Sequence, residues 1–361
     1  MNRIIDSHLD LAWNALGWDR DLTLPLAQIN AAESGMSDSD ARGRATTCLP
    51  EMRAGGVSVC LGTVLARVKP QAPSDQREHR LSVDHRHPAA AYAAAQGQLA
   101  YYRLLEAQGE ITLLRTAGDL RRHWRQPAGT AGKQAIGIIL AMEGGDPIVA
   151  PEQAESWWRE GLRSVSLAHY GPSRYAVGTG ESGPLTPEGR RLLAEFERLG
   201  MILDVTHLAE PGFTEALALF GGPVMASHNN CRALVPGDRQ FSDEQIRRLA
   251  RRGAVIGVAL DAWMLYPDWR KGQTPREAVR IDAVCDHLDH ICQLCGDCRH
   301  AAIGSDLDGG YGTEQTPLGL DTIADLQRLA GILADRGYSD EDISAVFHGN
   351  WLDFFSRHLP Q

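Results

Sequence analysis

A parallel (β/α)8 barrel of the TIM type, with long loops after strands 1 and 2, is the α/β fold this sequence predicts. Three observations predict it. Short apolar, β-branched runs alternate with stretches of helical periodicity, eight such runs can be counted, and most of them end in a His, Asp or Glu. Alternation of this kind is the pattern of parallel strands joined by crossover helices. Eight is the number that closes such a sheet on itself.

The strands are read as Arg3–Leu9, Val57–Leu65, Ala135–Met142, Ser164–Ala168, Ile202–Thr206, Pro223–Ser227, Ala254–Leu260 and Ala301–Ser305. Helices fall between them. Gly189–Leu199 precedes the fifth strand, and Ser242-Asp243-Glu244-Gln245 opens Ile246–Arg252 with a capped start. Thr322–Arg336 and Asp340–His358 close the chain. A minimal barrel takes roughly 250 residues, so about a hundred of the 361 are surplus. They lie mainly in Leu11–Gly56 and Ala66–Glu110, the second carrying Lys69-Pro70-Gln71-Ala72-Pro73. Both excursions emerge at the C-terminal face of the strands, where lids belong. No internal repeat or low-complexity linker divides the chain, so residues 1–361 are read as one barrel domain.

Bulk properties narrow the function. With 43% hydrophobic and 23% charged residues the chain is of the soluble globular class. Its formal charge of −10 excludes a phosphate-backbone binder, which needs a basic surface. No apolar stretch of export-signal length opens the chain, and the run from Ala254 to Leu265 is broken by Asp261 and too short to span a bilayer. The C-terminus carries no hydrophobic anchor tail. Seven cysteines, an odd number without a regular framework, point to reduced thiols in a cytoplasm. The expected partner is a small molecule, with neither nucleic acid nor membrane; a homodimer stays open.

The chemistry is read from the strand ends. Strand one ends in His8-Leu9-Asp10, strand three runs into Glu143, and strand four into His169. Strands five and six run into His207 and His228, and strand eight into Asp306. In a barrel these ends ring one mouth. A lone strand-end histidine is ordinarily structural, but four of the chain's 13 histidines share this register on different strands. His8 and Asp10, two apart on a strand, face the same side. Neutral imidazoles and carboxylates are the usual ligands of zinc and related cations, and unpaired carboxylates in a closed mouth would repel one another. The reading is a site for two divalent ions held by His8, Asp10, Glu143, His207 and His228. The bridge between ions falls to Glu143 by elimination and position. Lys69, Lys133 and Lys271, the only lysines, are poorly placed for a carbamylated bridge, and Glu143 ends its strand inside Met142-Glu143-Gly144-Gly145.

A second cluster, Cys285, Cys292, Cys295 and Cys298, contains a C-x2-C-x2-C run of the iron–sulfur kind. Helical periodicity over Asp282–Leu294 instead places Cys292 and Cys295 on an inner face with Val284, Leu288 and Ile291. Buried free cysteine behaves there as a small apolar residue.

Together, Ile5-Asp6-Ser7-His8-Leu9-Asp10, Met142-Glu143-Gly144-Gly145, Asp204-Val205-Thr206-His207, Ala226-Ser227-His228 and Ile303-Gly304-Ser305-Asp306-Leu307-Asp308-Gly309 resemble the renal (membrane) dipeptidase family of the amidohydrolase superfamily. The likeness runs from residue 3 to about residue 355, including Gly349-Asn350-Trp351, and His-x-Asp in place of the commoner His-x-His makes it specific. The resemblance implies a metal-dependent dipeptidase with two ions, zinc foremost: His8 and Asp10 on one, His207 and His228 on the other, Glu143 bridging. It implies Asp306 as acid/base, His169 as a substrate contact and Arg239 as the holder of the substrate carboxylate. A water shared by two cations would be acidic enough to attack as hydroxide, Asp306 relaying its proton and His169 donating to the oxyanion. Dipeptides ending in a D-residue come within the implied substrate range. The chain departs from the family in Tyr170-Gly171-Pro172, in Gln240 after Arg239, and in Ala259-Leu260-Asp261-Ala262-Trp263 after strand seven. These changes bear on the substrate side chains. Hydrolysis of another small amide, lactone or ester by the same ions is the alternative activity, and a non-catalytic binding barrel a more distant one.

Overall fold

The alternating runs form eight parallel strands: β1 (Ile4–Leu9), β2 (Val57–Leu65), β3 (Ile136–Glu143), β4 (Leu162–Ser166), β5 (Ile202–Asp204), β6 (Val224–Met225), β7 (Ile256–Val258) and β8 (Ala301–Ile303). The computed structural model describes residues 1–70, 83–126 and 134–361. Strands β1 to β6 pair in chain order in one parallel ladder. An isolated parallel bridge, Ala226 with Ile256, carries the sheet on to β7, and β7 pairs with β8. Buried Asp6 joins β8 to β1: its carboxylate accepts the Ser305 N–H at 2.8 Å and the Ser305 hydroxyl at 2.5 Å. The Asp306 N–H reaches the His8 carbonyl at 3.3 Å. The result is a (β/α)8 barrel.

Burial on both faces explains why the strands read as continuous apolar runs; every residue of β3 is buried. The interior is tight. A Cβ on Gly257 would lie 2.1 Å from the Ser227 carbonyl oxygen, so only glycine fits between those strands.

The expected helices are present with sharper ends. Pro187–Leu199 starts on Thr186, whose side chain accepts from the Gly189 N–H, and stops at Gly200 in the left-handed region. Ser242 and Gln245 form a reciprocal capping box ahead of Asp243–Arg251. The last two helices are each divided. Thr322 caps a 3₁₀ turn, Ile323–Gln327, that runs into Arg328–Asp335. Asp340–Ser344 and Asn350–His358 are separated by a π-helical turn, Ala345–Gly349. There the side chains of Asn350 and Trp351 donate to the carbonyls of Ala301 and Ile303 on β8.

The excursion after β1 is a pinned wall. Asp308 accepts the Thr46 N–H at 2.9 Å, the Thr46 hydroxyl at 2.7 Å and the Thr47 N–H at 3.1 Å. Arg20, 3.4 Å from Asp308, pairs with Glu33, which also takes Arg42. The excursion after β2 holds the paired segments Arg67–Val68 and Asp84–His85 and the long helix Pro88–Ala107. Gln71, Ala72 and Pro73 of the proline-containing motif lie outside the described residues, as does Lys133. Among the described residues no helix is long and apolar enough to cross a membrane.

Candidate active site

The strand-end residues meet at one mouth of the barrel, delivered in two ways. His8 is part of β1, Asp10 follows its end directly, and Glu143 is the last residue of β3, paired with Leu65 of β2. The other four lie further out than the sequence suggests, because the ladder stops early. β4, β5, β6 and β8 end at Ser166, Asp204, Met225 and Ile303, so His169, His207, His228 and Asp306 each stand three residues beyond. His207 (φ 66°) and Asp306 (φ 58°) occupy the left-handed region, uncommon for residues other than glycine. Asp204 steadies one of these turns by accepting the N–H groups of Thr206 and Ser227, both at 3.0 Å.

Glu143 is the hub. Its Oε1 lies 3.2 Å from His207 Nε2, 3.3 Å from His228 Nε2, and 3.7 Å from both His8 Nε2 and His169 Nε2. His8 Nε2 is also 3.9 Å from Asp10 Oδ1 and 3.7 Å from Asp306 Oδ1. Behind the rings stand hydroxyls: Thr179 Oγ1 at 3.0 Å from His207 Nδ1, and Ser227 Oγ at 2.9 Å from His228 Nδ1. The Thr63 hydroxyl donates to Asp10.

The electrostatics suit a cation at the centre. Burial, reinforced by Asp10, pushes Glu143 up to about 8 even though His8 pulls it down. Asp306 is raised well above the usual carboxylate range by burial, with Glu143 and Asp10 adding to the shift. Burial opposes charge on His8, but Glu143, Asp10 and Asp306 outweigh it and raise the ring to about 10. His207 and His228 are held well below the usual range, chiefly by burial, and are neutral imidazoles able to coordinate. His8 Nε2 is buried without a hydrogen-bond partner, although it points at the cluster. Three groups could each hold an ion, with ligand atoms within 4.8 Å of one another: His8, Asp10 and Glu143; Glu143, His207 and His228; and His8, His228 and Asp306. Glu143 is common to the first two. The donor set and the orphaned nitrogen both fit divalent metal.

The mouth encloses a cavity of about 270 Å³ bordered by Asp10, Glu143, His169, His207, His228 and Asp306 and by Trp13, Tyr170, Asp261, Trp263 and Met264. That space takes a small molecule, not a folded chain. Arg239 forms part of its wall although the residue is buried. It donates through Nη1 to Asn229 Oδ1 and through Nη2 to the His228 carbonyl, both at 2.9 Å, while its Nε has no partner. Asp261, in the segment after strand seven that departs from the family, caps the short helix Ala262–Leu265 and accepts from the Gln315 amide. Burial pushes it up to about 7.

Some contributors were not singled out from the sequence. Arg67 touches His169, Thr179 and Ser227 stand behind imidazoles, and the ring of Tyr170 packs against His169 and His207. Of these, Ser227 carried a signal as the residue before His228, and Tyr170 as part of a departure from the family pattern; Arg67 and Thr179 carried none. In the cysteine run, Cys285 and Cys292 are buried, while Cys295 and Cys298 are half-buried and pack against the core. The free thiols sit in and just after the helix Asp282–Cys295, as its periodicity suggests.

Residues 2–357 match the membrane dipeptidase family, peptidase family M19. The chain belongs to that family. Curated relatives include the dipeptidase tcpJ of Claviceps purpurea, 30% identical over 196 residues, covering 53% of this chain and 44% of the relative. The dipeptidase aclJ of Aspergillus oryzae is 30% identical over 222 residues, 60% of this chain and 50% of the relative. The chain thus spans about half the length of these relatives. Among solved structures, a metallopeptidase from Rhodobacter sphaeroides, liganded with a phosphinate mimic of L-Ala-D-Ala, superposes with a TM-score of 0.78 at 24% identity, covering 99% of both chains. The probable dipeptidase PvdM of Pseudomonas aeruginosa gives 0.75 at 18% identity, covering 98% of this chain and 95% of that one. At such identities these two likenesses speak for the fold.

Proposed function

We propose that this protein is a zinc-dependent dipeptidase that hydrolyses free dipeptides, including those with a C-terminal D-residue. The observation that carries the reading is the position of Glu143, whose carboxylate oxygen lies 3.2–3.7 Å from four imidazole nitrogens at the base of a small cavity. In this reading His8 and Asp10 hold one ion, His207 and His228 the other, and Glu143 both. Family membership supports the reaction class. The D-residue is supported by the likeness to the Rhodobacter enzyme with its L-Ala-D-Ala mimic.

When bound, the two ions would polarise the scissile carbonyl and make water acidic enough to attack near neutral pH. The protein does the rest. Asp306 takes the proton of the attacking water on its carboxylate and returns it to the leaving amine nitrogen. His169 donates from Nε2 to the oxygen that gains charge in the transition state. Arg239, its Nε unsatisfied in the cavity wall, binds the substrate's C-terminal carboxylate and sets the register of the peptide.

Metal analysis together with a screen of L,L and L,D dipeptides and their C-terminal amides on the zinc-loaded protein tests the proposal. Two zinc ions per chain and strong preference for free dipeptides are expected. Equal hydrolysis of the amides would overturn the carboxylate reading in favour of a broader amide or ester hydrolase. Absence of bound divalent metal would overturn the whole.

A further inference from the structure

The four histidines at the mouth differ in what stands behind them. His207 and His228 have hydroxyls at Nδ1, Thr179 Oγ1 at 3.0 Å and Ser227 Oγ at 2.9 Å. A hydroxyl can accept, so each ring can carry its proton on Nδ1 and leave the Nε2 lone pair facing Glu143. His169 has a guanidinium instead: Arg67 Nη1 is 3.0 Å from its Nδ1. Arginine has donors only, so His169 Nδ1 must accept. The proton of that ring is then on Nε2, the atom 3.7 Å from Glu143 Oε1. An Nε2 that bears hydrogen has no lone pair for a metal, but it is a ready donor.

From this we infer that Arg67 is a positioning residue, which locks His169 in the Nε2–H tautomer and thereby makes it the hydrogen-bond donor of the site and not a sixth metal ligand. The inference rests on the proposed role of His169 and adds the residue that enforces it. Arg67 is built to hold this position. Its Nε donates to Asp84 Oδ1 at 2.6 Å across the paired segments Arg67–Val68 and Asp84–His85. The next residue, Val68, donates its N–H to Asp146 Oδ2 at 2.8 Å. Asp146 also accepts from the Ser173 hydroxyl at 2.6 Å and the Arg174 N–H at 3.1 Å, in the loop that follows His169. Lys69 Nζ donates to the carbonyls of Tyr170 and Pro172, both at 2.7 Å. The loop after β2 is therefore fastened to the loop after β4 on both sides of the Arg67–His169 contact.

The test is long-range ¹H–¹⁵N NMR of the histidine rings in the zinc-loaded enzyme without substrate, His169 being assigned by its loss in His169→Gln. Steady-state kinetics and zinc content are measured on the same samples. In the wild type His169 should show a protonated Nε2 and an unprotonated Nδ1; a proton on Nδ1, alone or as well, overturns the inference without any variant having to fold. In Arg67→Met the Nε2–H signature should be lost or mixed, with kcat down at least about tenfold, KM little changed and zinc retained. Arg67→Lys keeps a donor-only cation and should restore the signature together with most of kcat. If Arg67→Met keeps the tautomer, or loses it with kcat unchanged, Arg67 does not position His169. The tautomer is read without substrate, so failure here is distinguishable from failure of the dipeptidase reading, which the dipeptide screen decides.

Discussion

The two halves of the barrel mouth hold their chemistry differently. On the side of β1 and β3, His8 and Glu143 lie within long strands: Glu143 pairs with Leu65 of β2, and His8 sits in β1 at an irregularity between the Asp6–Cys60 and Leu9–Gly62 pairs, so strand alternation sets their direction. From β4 to β8 the strands shrink to between two and five residues, and His169, His207, His228 and Asp306 stand on turns beyond them. There direction comes from backbone conformation, left-handed at His207 and Asp306, and from side chains such as Asp6 and Asp204 that tie down backbone N–H groups. The ladder side places charge rigidly; the turn side places groups that must each face a particular way. Disturbing the first should empty the site, and disturbing the second should impair one function at a time.

The largest effect is expected on the ladder side. Glu143→Gln keeps the shape but cannot neutralise two dications or span them, so zinc content and kcat/KM should fall together, the latter by about a thousandfold or more. Elemental analysis beside dipeptide kinetics checks it; full zinc occupancy would show that something else bridges.

On the turn side, Asp306→Asn should leave both ions and substrate affinity nearly intact while kcat falls by about a hundredfold or more, because only the proton relay is lost. A matching loss of zinc would move Asp306 into the ligand set, consistent with its grouping with His8 and His228. Arg239→Ala should act more mildly. Its effect falls mainly on KM, by about tenfold to a hundredfold, and the preference for free dipeptides over amides should vanish. Unchanged KM would place the carboxylate elsewhere.

The same contrast governs what the sequence reveals. The metal-ligand candidates on β1 and β3 are legible because strand periodicity aims them. Those on the other side are legible only as residues that follow an apolar run. The runs themselves overshoot: Leu167 and Ala168 after β4, and Val205 and Thr206 after β5, remain buried although the ladder has ended. Hydrophobicity reports burial, and burial outlasts strand pairing at the mouth. Arg67 was invisible for another reason. It acts on a residue 102 positions away, and nothing in its neighbours marks an arginine that faces an imidazole instead of solvent. Thr179 is likewise 28 positions from the ring it supports.

Thr179 gives the smallest and most discriminating prediction. His207 has a left-handed backbone and lies beyond its strand, so the direction of its ring depends on what grips Nδ1. The Thr179 hydroxyl suits that task on both counts. It lies 3.0 Å from His207 Nδ1, where it can accept, and 3.4 Å from the His207 carbonyl oxygen, where it can donate its own proton. The Thr179 N–H is meanwhile fixed to the His169 carbonyl at 3.0 Å. Thr179→Val preserves side-chain shape and that backbone bond but removes the acceptor. Partners of this kind behind metal-bound histidines are typically worth about tenfold to a hundredfold in affinity. The lower end is expected here, because the rings of His169 and Tyr170 also pack against the His207 ring and help to hold it. Competition with a chelator should therefore show zinc held about tenfold more weakly. At saturating zinc, kcat should return to nearly the wild-type value, since Thr179 touches neither Asp306 nor Arg239 in the proposed reaction. Unchanged zinc affinity would mean that the turn alone orients His207, and the division between ladder-held and turn-held ligands would lose its energetic meaning.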